Sequence, residues 1–129
     1  GAKPMKFRLV CLVFPLLVAQ PTLATPERPR DPIALGRYLV QTAGCNDCHS
    51  PDYVQQGGNT PESTWLTGDA LGWSGPWGTT YATNLRLFMA DRSEAEWLRH
   101  ARSMKPRPPM PWFNLHAMSD GDLRAIYRM

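Results

Sequence analysis

Two thiols and an imidazole fall within one five-residue stretch, Cys45-Asn46-Asp47-Cys48-His49. Thiols three positions apart on a single helical turn can each add to a vinyl group of a porphyrin, and the residue that follows then carries its imidazole under the iron. This is the Cys-x-x-Cys-His spacing of covalent c-type haem attachment. Four other chemistries compete for the same residues. A zinc site needs about four ligands, and the remaining histidines, His100 and His116, lie 51 and 67 positions beyond His49, far from the usual spacings. A thioredoxin-like redox pair requires a βαβ context that the surrounding pattern lacks. A plain disulfide leaves His49 without a purpose, and a chance match sits poorly beside the export signal described below.

An iron held by His49 has a second axial position. Met89, Met104, Met110, Met118, Met129, His100 and His116 could each fill it. Met110 is favoured because it lies in Arg107-Pro108-Pro109-Met110-Pro111-Trp112, where fixed proline φ angles make a stiff, extended strap. A ligand on such a strap loses little entropy when it binds. Met104 and Met129 fall on expected helix faces, where methionine usually fills core space.

The amino terminus looks like a targeting segment. Lys3, Lys6 and Arg8 precede an apolar run from Leu9 to Ala19, and Thr22-Leu23-Ala24 supplies the small residues of a cleavage site. Residues 1–24 are therefore expected to be a signal peptide cut after Ala24, with Gly1 to Pro4 an extension upstream of a natural start at Met5. The apolar run is shorter than the roughly 20 residues that span a bilayer, so no membrane span is expected after processing, and the expected destination is the periplasm. Removing the leader also removes Cys11 and three of the 14 basic residues but none of the 11 acidic ones. The remaining chain is charge-balanced and carries no electrostatic reason to bind nucleic acid.

A chain of 129 residues with 13 prolines and 10 glycines has room for one small, loop-rich domain. Residues 25–32 read as a Pro-rich linker and residues 33–129 as the domain. Asp31 as cap and Pro32 at the first helical position open a helix reaching about Ala43, stopped by Gly44. Residues 50–76 lose all periodicity and read as a long loop. Ser93-Glu94-Ala95-Glu96 is a capping box that opens a helix to about Met104. A last helix starts at Ser119, with Asp122 placed to return the cap and Leu123, Ile126 and Tyr127 on one face. No strand pattern competes, so the expected class is all-α, and three short helices bury so little that a cofactor should fill the centre.

These residues resemble the single-haem cytochromes c of the small, soluble, His/Met-ligated type. The resemblance covers about residues 31–129 and rests on Gly36 and Tyr38 in the first helix, Cys45 to His49, Gly78-Thr79-Thr80-Tyr81-Ala82-Thr83-Asn84-Leu85, the helix over 93–104, Met110-Pro111-Trp112, and Asp122-Leu123-Arg124-Ala125-Ile126-Tyr127. It is nearest to bacterial cytochrome subunits and domains that serve periplasmic dehydrogenases. Two departures stand out: Asn84-Leu85-Arg86-Leu87 replaces the usual Asn-Leu/Ile-Thr-Pro, and the last helix stops at Met129, a turn or two short.

The resemblance implies a cytochrome c-like fold of three to five short helices around one covalent haem c, with His49 and Met110 on the iron. It implies an electron carrier rather than an enzyme, with a dehydrogenase as donor and an oxidase or another cytochrome as acceptor. A peroxidase-like catalyst or a gas sensor is the alternative if the Met ligand is missing. Trp77, Tyr81, Asn84 and Arg86 are the expected partners of the haem propionates, and Trp65, Trp73, Trp77 and Trp112 the expected apolar walls. In relatives of this pattern the first and last helices cross at a glycine against an aromatic, so Gly36 should meet Tyr127 or Ile126. Residues 45–75 carry four acids and no Lys or Arg while residues 86–107 carry six bases and three acids, which predicts a dipolar surface.

Overall fold

A computed structural model describes residues 1, 2, 4 and 27–129. The expected signal peptide over 1–24 therefore lies, apart from three positions, outside the described residues. The described chain runs α1 (Pro32–Thr42), α2 (Cys45–His49), a 3-10 turn (Glu62–Thr64), β1 (Gly72–Gly75), β2 (Gly78–Tyr81), α3 (Leu85–Ala90), α4 (Glu94–Ser103), α5 (Trp112–Ala117) and α6 (Asp120–Arg128). Among the described residues there are thus six α-helices where three to five were expected. One antiparallel hairpin also makes a mixed fold of the expected all-α chain.

The three longer helices start for the reasons their sequences give. Asp31 accepts a hydrogen bond from the Ala34 N–H at 2.7 Å, and Pro32 opens α1. The capping box of α4 closes in both directions, Ser93 accepting from Glu96 N–H and the Glu96 carboxylate accepting from Ser93 N–H at 2.8 Å. Ser119 caps α6 through the Asp122 N–H at 3.1 Å. The Asp122 carboxylate does not return that cap; it pairs with Arg28, which ties residues just ahead of α1 to α6.

The core is built where α1, α4 and α6 meet. Leu39 and Val40 of α1, Trp97 and Ala101 of α4, and Leu123, Ala125 and Ile126 of α6 are buried together with Leu115, Trp65 and Leu66. The Trp97 indole N–H donates to the Leu123 carbonyl at 2.7 Å, satisfying the one polar atom that burial would otherwise strand. A Cβ added to Gly36 would stand 2.1 Å from the Ala125 carbonyl oxygen and 2.8 Å from the Met129 Cβ. The glycine is therefore a helix-crossing residue as expected, but its partner is the Ala125 backbone rather than Tyr127 or Ile126. A small residue opposite the glycine brings backbone against backbone, which no aromatic at that position could do. Glu94 of α4 accepts from Arg124 at 2.7 Å and Arg128 at 2.8 Å, both on α6, and adds a polar tie beside the apolar seam.

Four elements had no counterpart in the sequence pattern: the 3-10 turn, the hairpin, α3 and α5. The hairpin pairs Gly72 with Tyr81, Trp73 with Thr80, Ser74 with Thr79 and Gly75 with Gly78 around a Pro76-Trp77 turn. It is short and glycine-rich, so alternation is invisible along it. Helix α5 is six residues long and depends on a distant side chain: the Arg102 guanidinium of α4 donates to the carbonyls of Leu115, His116 and Met118 and to Asp120. These are the orphan carbonyls of a helix end, and their partner is supplied from another helix.

Candidate functional site

The left-handed Gly44, at φ +76, ends the α1 connection and turns the chain into α2, so both thiols and the imidazole leave one short helix. Cys45, Cys48 and His49 all line a single cavity of about 680 Å³. The two sulfurs are free of any disulfide, and burial pushes the Cys45 thiol up to about 11 and the Cys48 thiol in the same direction. Both are therefore neutral thiols at neutral pH. Among the described residues no three His, Cys, Asp or Glu side chains gather as a metal ion would need, so the zinc alternative lacks a ligand set here.

His49 is fixed by a backbone contact. Its Nδ1–H donates to the Thr83 carbonyl at 2.7 Å, in the segment just after β2, while its own carbonyl accepts from Gly68 N–H at 2.8 Å. With Nδ1 occupied as a donor, Nε2 is the nitrogen that keeps a free lone pair. Burial lowers the His49 pKa and the Thr83 bond partly offsets that shift, so the ring is held neutral. Beneath it, Ser50 bridges Asn46 at 2.7 Å and Leu66 N–H at 2.8 Å, which fastens the buried side of α2 to the loop that follows.

The cavity wall is mostly apolar. Leu66, Leu85, Phe88, Trp97, Leu115 and Ile126 contribute to it, as do Met89, Met104, Met110, Met118 and Met129. All five methionines weighed as ligands thus face one space, and His100 joins them whereas His116 does not. His116 is spent elsewhere, its Nε2 against the Met104 carbonyl at 3.1 Å. Arg86 and Arg107 line the cavity and no Asp or Glu does, which leaves the lining with unbalanced positive charge.

The four polar positions expected at the propionates separate. Tyr81 and Arg86 line the cavity, but Trp77 and Asn84 do not. Arg86 donates Nε to the Trp65 carbonyl at 2.6 Å and Nη2 to the Glu62 carbonyl at 2.7 Å, so much of its guanidinium is already engaged. Asn84 caps α3 by accepting from Leu87 N–H at 3.0 Å. Trp77 Nε1–H is a buried donor with no acceptor among the described residues, as is Asn46 Nδ2. Of the four expected tryptophan walls only Trp73 reaches the cavity; Trp65 is buried in the core with Nε1 bonded to Thr60, and Trp112 meets His116 at a tilt of 56° with ring centres 4.9 Å apart. Trp97 of α4 is a wall that the sequence pattern does not single out. Arg107 and the Thr83 carbonyl were missed too, since a guanidinium in a proline run and a main-chain oxygen leave no signature.

The arrangement offers two alkylatable thiols, one lone-pair nitrogen and several soft thioethers around an apolar space. Comparison of the chain with protein-family models, with curated proteins and with solved structures finds no match in any of the three.

Proposed function

We propose that this chain is a c-type cytochrome whose role is electron transfer, exported to the periplasm and fed by a dehydrogenase on behalf of an oxidase or another cytochrome. The observation that carries the reading is the convergence of Cys45, Cys48 and a neutral His49, with Nε2 unengaged, on one apolar cavity of about 680 Å³. That volume lies in the roughly 300–1,000 Å³ range of cofactor sites. The lining also suits the group: two arginines, with no acid beside them among the described residues, match an apolar ring that bears carboxylates.

When bound, the haem supplies an iron that changes between ferric and ferrous states. The chain's own residues do the rest. Cys45 and Cys48 hold the group covalently, and His49 presents Nε2 in an orientation set by the Thr83 carbonyl, the kind of second contact that fixes tautomer and raises ligand basicity. Met110 on its proline strap offers a thioether, which favours the reduced iron over what two nitrogen ligands would give. Phe88, Trp97 and Leu115 keep water away and disfavour the extra positive charge of the ferric state. Were His49 and Met110 both to hold the iron, no place on it would be left open to oxygen, peroxide or substrate, which supports a carrier rather than an enzyme.

Carbon monoxide tests this reading. The reduced parent protein is expected not to bind it promptly at neutral pH, whereas Met110→Ala keeps its covalent haem and binds it. Prompt binding by the parent would favour a peroxidase-like catalyst or gas sensor instead.

A further inference from the structure

We infer that Arg107 and Thr80 are positioning residues, which clasp the β1–β2 hairpin onto the strap of residues 105–111 and so hold Met110 at the cavity; this rests on the reading of Met110 as a haem ligand. The strap cannot secure itself through its backbone. Pro106, Pro108, Pro109 and Pro111 have no N–H to give. The backbone bonds at its far end, Trp112 N–H to Met110 O at 2.9 Å and Asn114 N–H to Pro111 O at 3.0 Å, stay within the run into α5.

Apart from these bonds into α5, three hydrogen bonds among the described residues join residues 105–111 to another element, and all three go to the hairpin. Arg107 donates Nη1 to the Trp77 carbonyl at 2.9 Å and Nη2 to the Thr79 carbonyl at 3.4 Å. In return the Thr80 hydroxyl donates to the Pro108 carbonyl at 2.5 Å. The two acceptor carbonyls flank Gly78, whose φ of +90 sets the turn and where an added Cβ would stand 3.3 Å from Arg107 Nη1. A guanidinium fork spanning two carbonyls fixes direction as well as distance.

The same hairpin segment reaches the opposite ligand. It enters at Gly68, whose N–H is bonded to the His49 carbonyl, and leaves at Thr83, whose carbonyl holds His49 Nδ1. Residues 68–83 therefore brace His49 at their base and the Met110 strap along their length. A brace of this kind keeps the two ligand-bearing segments in register without adding an apolar core of its own.

The test uses holoprotein and reads imidazole affinity for the ferric iron by optical titration, because imidazole must displace the sixth ligand. Thr80→Val and Arg107→Met are each expected to tighten imidazole binding about fivefold, the scale of one lost hydrogen bond, while covalent haem content stays at the parent level. Thr80→Ser, which keeps the hydroxyl, should match the parent. Arg37→Gln, which breaks the distant Arg37–Glu62 pair, should match it as well. Parent affinity in both Thr80→Val and Arg107→Met, beside a large gain in Met110→Ala, overturns the clasp and leaves the function standing. An equal gain in Arg37→Gln also overturns it, since general loosening would then explain the effect. No gain in Met110→Ala would instead remove Met110 as ligand, and with it both the ligation and this inference.

Discussion

Single side chains in this protein work mostly through where their second contact goes. His49 owes its free nitrogen to a carbonyl 34 residues away, and Arg102 serves α5 while belonging to α4. Glu94 shows the same economy at the surface, holding Arg124 and Arg128 at once, and these two partners keep its carboxyl below the usual glutamate range. A group whose folded pKa is depressed contributes stability that is complete above the unfolded value, near 4.3, and is lost as pH falls through the folded value. Glu94→Gln should therefore lower the thermal midpoint at pH 7, with the gap to the parent closing as pH drops below about 4. A gap that stays constant from pH 7 to pH 3 would show that the carboxylate charge contributes nothing. The Cys-x-x-Cys-His spacing and the three helix caps were legible at this scale because each is a short local pattern. Arg107 and the Thr83 carbonyl were not, because their partners are separated from them by the fold.

At the scale of elements, the crossing of α1 on α6 sets the platform that α2 extends. Gly36 is the residue that permits it, and the required approach is closer than any Cβ allows, with 2.1 Å to the Ala125 oxygen. Gly36→Ala should accordingly destabilise by about 3 kcal/mol, the upper range for overpacked cores, despite alanine being the better helix former by roughly 1 kcal/mol. Chemical denaturation checks this, and an unchanged or raised midpoint would mean the helices do not cross at that point. The long helices were readable from capping and apolar spacing. The crossing glycine was readable as well, but its partner was not, because the expectation drew on an aromatic contact while the backbone of Ala125 actually fills the place. The hairpin and α5 were hidden for a different reason. Both are too short to show a period, and both are held by residues from elsewhere, Arg107 and Arg102 respectively.

At the scale of the whole molecule, the six helices and the hairpin of the described residues enclose more space than they fill. Leu39, Val40 and Leu123 fill the core, while Trp97, Leu115 and Ile126 belong to that core and also line the cavity together with the methionines and Phe88. An apolar lining of that extent exposed to water would waste the hydrophobic stabilisation that such a short chain needs, which supports the proposal of an occupant. In the dipolar surface expected from the sequence, Arg102 is matched to Asp120, whereas Arg86 and Arg107 are bonded to neutral carbonyls and keep their charge. The most direct measurement is the intact mass of the protein produced alongside a host's haem-attachment machinery. The account predicts a coloured protein whose mass exceeds the processed polypeptide by one haem, with that increment lost when Cys45 and Cys48 are both replaced. A colourless product with the mass of the bare polypeptide would contradict it.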